Sequence, residues 1–321
     1  MTSNSLAVCF LSISFLASVA ATAKEKATAP PFRWAYVKNE TRVESRPAHS
    51  PRKPAIMQLQ RGELVNVLGV EVKGASSWLK ISAVNPSTFE AVTGWVDSSG
   101  IESEPLEHFP PDAELLKQLG GHYLEDIVAS TTEIVRYVVH QGKRDSALAC
   151  FLGTRALPQA RLQIFQWSSG KYLPGPYLEF PASEMLSGIT RMEVLDLLGD
   201  VNECIVTEEP FHSQPEEDGT NMVIRRMEGN ALKTLWQAPL EFRNLASFPP
   251  QRQILEPPEK NIGAPGTVTQ GKVDFRARGP LSEPAWKGKI EFHVLGREEP
   301  VDTVTVEKVC SWDGSKFAPL R

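Results

Sequence analysis

The chain has 321 residues, of which 41% are hydrophobic and 23% charged, the balance of a globular protein with room for two domains. Lys and Arg total 34 against 39 Asp and Glu, a formal net charge of −5. That charge argues against a nucleic-acid footprint, which needs clustered positive charge.

Leu6 to Val19 is an apolar run too short to span a bilayer. Ala21-Thr22-Ala23 behind it has the small-x-small form of a cleavage site. Together they predict a signal peptide over residues 1–23, cleaved near Ala23, and a periplasmic or extracellular protein. The segment before the run carries neither Lys nor Arg, and Cys9 precedes the run rather than ending it, so no lipid anchor is expected. No transmembrane anchor is expected either. Cleavage leaves Cys150, Cys204 and Cys310, none in a CxxC pair, which gives a structural zinc site no support. Buried free thiols are the preferred reading. A Cys150–Cys204 disulfide is the alternative in an exported protein.

From Phe32 to Glu102 the chain reads as short strands. Trp34-Ala35-Tyr36-Val37 opens the series, and a loop from Arg42 to Lys53 follows, whose basic residues are interrupted by Glu44, Pro47 and Pro51. We read it as a solvated loop. Leu64, Val65 and Val67 follow a Gly62-Glu63 turn, then come Ser77 to Ile81 and Thr93 to Val96.

The order V-x-S-R-P, L-x-x-G-E-x-V-x-V, W-L-K-I and G-W-V across residues 33–102 resembles the bacterial SH3-like domains of secreted and envelope proteins. Two features depart from that pattern: Thr41-Arg42-Val43-Glu44 replaces its Leu-Asn-Val, and Ser82–Ala91 is longer than a typical hairpin. The resemblance implies a small SH3-like barrel and an interaction module, with cell-wall peptide or an envelope protein as partner. Trp34, Tyr36, Trp78 and Trp95 are the candidate ligand-binding residues, since aromatic side chains offer rigid contact area. Against that stands the reading that Trp78 and Trp95 fill the barrel core.

Residues 103–121 read as a linker, with a short helix predicted over Asp112–Gly120 from Leu115, Leu116, Leu119 and the Gly120-Gly121 stop. From Glu125 onward the period is two, with candidate strands at Ile134–His140, Ser146–Gly153, Leu162–Trp167, Ile189–Leu195, Glu203–Glu208, Met222–Met227, Leu232–Trp236, Lys272–Ala277, Lys289–Leu295, Asp302–Trp312 and Phe317–Leu320. Their lengths and glycine-containing turns predict a larger antiparallel β domain over residues 122–321, a partial propeller or a sandwich. The fold class is therefore all-β. Trp167-Ser-Ser-Gly-Lys-Tyr-Leu-Pro174 and Trp312-Asp-Gly-Ser-Lys-Phe-Ala-Pro319 echo one another and predict a repeated hairpin. Asp196 to Val206 resembles the acidic passage of FG-GAP-like propeller repeats, in which such a loop often holds calcium. Here Leu198 stands where a further Asp is expected and Val201 where Gly is, so a structural turn is preferred and no cofactor or metal is expected.

None of the six histidines forms HExxH, and no GxSxG or Walker pattern occurs. Cys150 lies mid-strand, without a helix N-terminus to activate it. The sequence points to an envelope binding or scaffold protein rather than an enzyme. The alternative is an exported hydrolase or inhibitor that its SH3-like module targets. A pocket of converging His and carboxylates in residues 120–321 is the feature that favours the alternative.

Overall fold

A computed structural model describes residues 34–48, 54–86, 88–102, 132–142, 145–154, 160–169, 171–180, 189–214, 217–245 and 254–320. The expected signal peptide, the expected linker with its helix, and most of the second half of the basic loop lie outside the described residues. Within them the regular structure is β, apart from two 3-10 turns at Ser98–Gly100 and Pro258–Asn261. The all-β expectation holds, in antiparallel sheets of which none closes into a barrel.

The N-terminal strands are β1 (Trp34–Val37), β2 (Thr41–Val43), β3 (Met57–Leu59), β4 (Glu63–Lys73), β5 (Ser76–Val84), β6 (Ala91–Asp97) and β7 (Ile101–Glu102). β1 pairs with β4 and β7, β4 with β5, and β5 with β6. Alternation sends Ala35, Val37, Val65, Val67, Leu79, Ile81 and Val96 to one face, where β2 and β3 add Val43, Met57 and Leu59 to a dry core. The expected small barrel is not closed by hydrogen bonds. β6 reaches β7 through the 3-10 turn instead of pairing with it. The Asp97 carboxylate caps that turn by accepting the Ser99 N–H at 2.9 Å.

β4 also pairs with the first strand of the second half, so the sheet runs on past the expected linker. β8 (Thr132–Gln141), β9 (Asp145–Thr154), β10 (Ala160–Ser168) and β11 (Lys171–Phe180) form a meander joined through β8 to Glu63 and Leu64 of β4. Both faces of β8 and β9 are buried, which explains their nearly continuous apolar runs. Val135, Tyr137, Val139, Ala149, Phe151 and Ile164 face one core, whereas Ile134, Val138, Leu148, Cys150 and Leu152 face another.

A second sheet runs in strict chain order through β12 (Arg191–Leu195), β13 (Cys204–Gln214), β14 (Glu217–Glu228), β15 (Ala231–Asn244), β16 (Thr267–Arg278), β17 (Leu281–Phe292), β18 (Asp302–Trp312) and β19 (Phe317–Pro319). Met192 and Val194 of β12 and Ile205 of β13 pack into the same core as β8–β10, so the two sheets meet face to face there, as in a sandwich. The extended β5–β6 hairpin joins this core. Phe89 at its tip is buried, with its ring centroid 5.2 Å from that of Phe151.

The echoed hairpins share one geometry. Trp167 pairs across the turn with Tyr172, and Trp312 with Phe317. The rings meet edge-to-face at 4.9 and 5.3 Å between centroids. In each the second aromatic is buried and the tryptophan covers it.

Candidate functional site

The turn Gln60–Glu63 is the node where the two halves join. Gly62 takes φ +86°, and a Cβ there would lie 2.7 Å from Val194 Cβ, so only glycine fits. Its N–H donates to the Val37 carbonyl at 2.8 Å, and its own carbonyl accepts from Val138 N–H at 2.9 Å. The carbonyl of Arg61 accepts from Val194 N–H at 3.1 Å. One turn thereby ties β1, β8 and β12 together.

This clamp places the Arg61 side chain beside His140 of β8 and Glu203, which immediately precedes β13. Arg61 lies 3.6 Å from Glu203. Oε2 of Glu203 accepts both the backbone N–H of His140 and its ring Nδ1, each at 2.8 Å. The Glu203 N–H in turn donates to the His140 carbonyl at 2.9 Å. As a carboxylate Glu203 only accepts, so Nδ1 is the donor and the neutral ring carries its lone pair on Nε2. The Tyr36 ring packs edge-on to the imidazole, with centroids 5.8 Å apart. Lys38 and Glu102, 3.9 Å apart, complete a pocket of about 220 Å³.

Beneath the pocket floor, Glu63 is almost wholly buried opposite Tyr137. Desolvation raises its carboxyl to about 8, against a lowering hydrogen bond from the Gln60 N–H. Its Oε1 and the Tyr137 hydroxyl are both buried without a hydrogen-bond partner. Burial, then the charges of Glu63 and Glu193, push the Tyr137 phenol up as well.

Alternation sets all four aromatics predicted to bind ligand on the sheet face opposite the N-terminal core. They do not form one open groove. Trp34 and Tyr36 pack, half-buried, against the core that holds Leu148 and Cys150, and the Arg136 guanidinium lies 5.1 Å from the Trp34 ring centroid. Trp78 is 3% exposed, whereas Trp34, Tyr36 and Trp95 are half-buried. Tyr36 alone of the four lines the junction pocket. His140, Glu203, Arg61, Lys38 and Glu102 escape sequence reasoning because 63 residues separate the first two and the sheet pairing alone joins them.

The acidic passage at Asp196–Asn202 satisfies its own loop. Asp196 accepts the Gly199 N–H at 2.7 Å, and Asp200 accepts the Asn202 N–H at 3.1 Å and an Arg226 N–H at 2.7 Å. Partial desolvation raises the Asp200 carboxyl, but these hydrogen bonds and the Arg226 charge outweigh it and leave the group below its ordinary value. Val201 takes φ +60°, the left-handed conformation that the resembled pattern gives to glycine.

Cys150, Cys204 and Cys310 are free and buried. Desolvation raises the thiols of Cys150 and Cys204 to about 12, so neither is a ready nucleophile. No group of three or more His, Cys, Asp and Glu able to hold a metal occurs among the described residues. No helix among them is long and apolar enough to cross a membrane.

Comparison with protein-family models, curated proteins and solved structures finds no match.

Proposed function

We propose that this is an exported envelope-binding protein whose SH3-like part and following β meander together form a recognition pocket for charged peptide. The carrying observation is the junction pocket itself. Lys38 and Arg61 supply positive charge, Glu102 and Glu203 negative charge, and Tyr36 an aromatic wall. A cell-wall stem peptide bears free carboxylates and an amine, so a pocket with both signs of charge matches it group by group. Support for the SH3-like reading comes from the strand path: the β4–β5 hairpin, β6, a 3-10 turn, and a last short strand returning to β1.

A second reading rests on the His140–Glu203 pair, the orientation a general base needs. It is the weaker one. No Ser, Thr or Cys lines the pocket among the described residues, and metal-binding clusters are lacking there too.

Co-sedimentation of the chain from residue 24 onward with peptidoglycan sacculi tests both. Binding predicts retention that falls at least tenfold in a Tyr36→Ala, Arg61→Glu variant, with no soluble fragments released. Retention equal in both proteins overturns the pocket, and release of fragments that His140→Ala abolishes establishes the hydrolase instead.

A further inference from the structure

The second sheet holds a separate cavity, and what shapes it is a failure of two strands to stay paired. β15 pairs with β14 along its length but with β16 only from Glu241 to Asn244. Over its first half, β15 diverges from β16 and the sheet curls, so that Trp236 of β15 donates its indole N–H to Cys310 Sγ of β18 at 3.3 Å. Trp286 of β17 fills part of the gap. Its indole lies over the paired glycines Gly271 and Gly288, where an added Cβ would come within 2.3 Å of it. Its N–H donates to the Pro239 carbonyl at 2.6 Å.

What Trp286 leaves open is a cavity of about 420 Å³, within the ~300–1,000 Å³ span of small-molecule sites. Its inner wall is apolar: Leu235, Trp236, Trp286 and Phe317 are each at most 9% exposed. Lys308, half-buried, and Lys316, exposed, also line it. Among the described residues neither ammonium is within ion-pair distance of a carboxylate, although other surface lysines such as Lys233 and Lys289 are paired. Lys308 Nζ lies 6.0 Å from the Trp286 ring centroid and Lys316 is close enough to Asp313 to lower its carboxyl, yet neither forms an ion pair among the described residues. An apolar wall with two such cations beside it is the complement of one chemistry, an alkyl chain ending in an anion.

We propose that this cavity binds a single-chain fatty carboxylate, with the chain against Trp236, Trp286 and Phe317 and the carboxylate held by Lys308 and Lys316. This site is independent of the junction pocket and shares no residue with it.

Calorimetric titration of the full chain with decanoate tests it, with decan-1-ol and decyltrimethylammonium as probes of the same chain length. The expected result is saturable one-to-one binding of decanoate, at least tenfold tighter than either control. Lys308→Glu with Lys316→Glu should reverse the order of decanoate and decyltrimethylammonium. Ala318→Trp, which fills the cavity from a half-exposed position, should abolish both. Unchanged melting temperatures show that the variants fold. Absence of saturable decanoate binding, equal affinity for all three probes, or decanoate binding unaltered by the charge reversal overturns the proposal.

Discussion

A single carboxylate oxygen, Oε2 of Glu203, accepts two donors from His140, the backbone N–H and ring Nδ1, both at 2.8 Å. It fixes the imidazole in one orientation and fastens the start of β13 to the end of β8. Position and stability at this point of the chain therefore share one interaction.

Removing that acceptor has a calculable cost. Glu203→Ala leaves the His140 N–H without its partner at a site where the carboxylate is only 12% exposed. A stranded donor costs about 1–3 kcal/mol. Glu203→Gln keeps a carbonyl oxygen at the same place and should lose less than half as much. Urea unfolding of the two variants checks this, and equal losses would show that the carboxylate contributes no acceptor of consequence.

Glu63 makes stability depend on pH. Its folded value of about 8 lies above the ordinary carboxylate value of 4.5, so the native state holds a proton that the unfolded chain releases between those limits. The ionisation penalty is therefore absent below pH 4.5 and grows as pH rises to 8, by a few kcal/mol at about 1.4 kcal/mol per unit. Glu63→Gln should leave stability unchanged at pH 4.5, raise it at pH 8, and flatten the profile between. Parallel profiles for the two proteins contradict this.

How much of this was legible in the sequence differs between strand and site. The β period marked β8, β9 and β18 because their side chains alternate between two environments, and the echoed Trp-turn-aromatic hairpins were visible because the pairing partners lie five residues apart. β11 was missed. Pro174, Gly175 and Pro176 break its period, yet the strand lies at a sheet edge, where a proline without an N–H forfeits no ladder bond. The second half of β15 was missed for a related reason: Pro239 sits where β15 has left β16 and pairs on one side only. The closed barrel was expected because the motif order of residues 33–102 speaks of strands and not of their edges. The edge of β4 beside Glu63 and Leu64 is taken by β8, a partner that no local pattern announces. Tyr36 was found as a candidate from its residue type, but His140, Glu203 and Arg61 come together only through the Gly62 clamp.

The glycine seat under Trp286 should be as intolerant as its geometry implies. Gly271→Ala puts a methyl group 2.3 Å from the indole nitrogen, so the ring must move and its bond to Pro239 must break. Overpacking of this kind costs about 1–3 kcal/mol. A lowered melting temperature and a red shift of tryptophan emission are expected, whereas Gly279→Ala, in a turn with no atom within 4 Å of the new Cβ, should leave the emission unchanged. Emission identical in both variants would contradict the seat.

The most direct test of the proposed recognition is calorimetric titration with a soluble cell-wall stem peptide beside the same peptide with its terminal carboxylates amidated. The account predicts that the free acid binds at least tenfold more tightly to the wild-type chain, and that Arg61→Glu removes the difference while the melting temperature holds. Equal affinity for the two peptides, or a preference that survives Arg61→Glu, would contradict the assignment of the junction pocket as the peptide site.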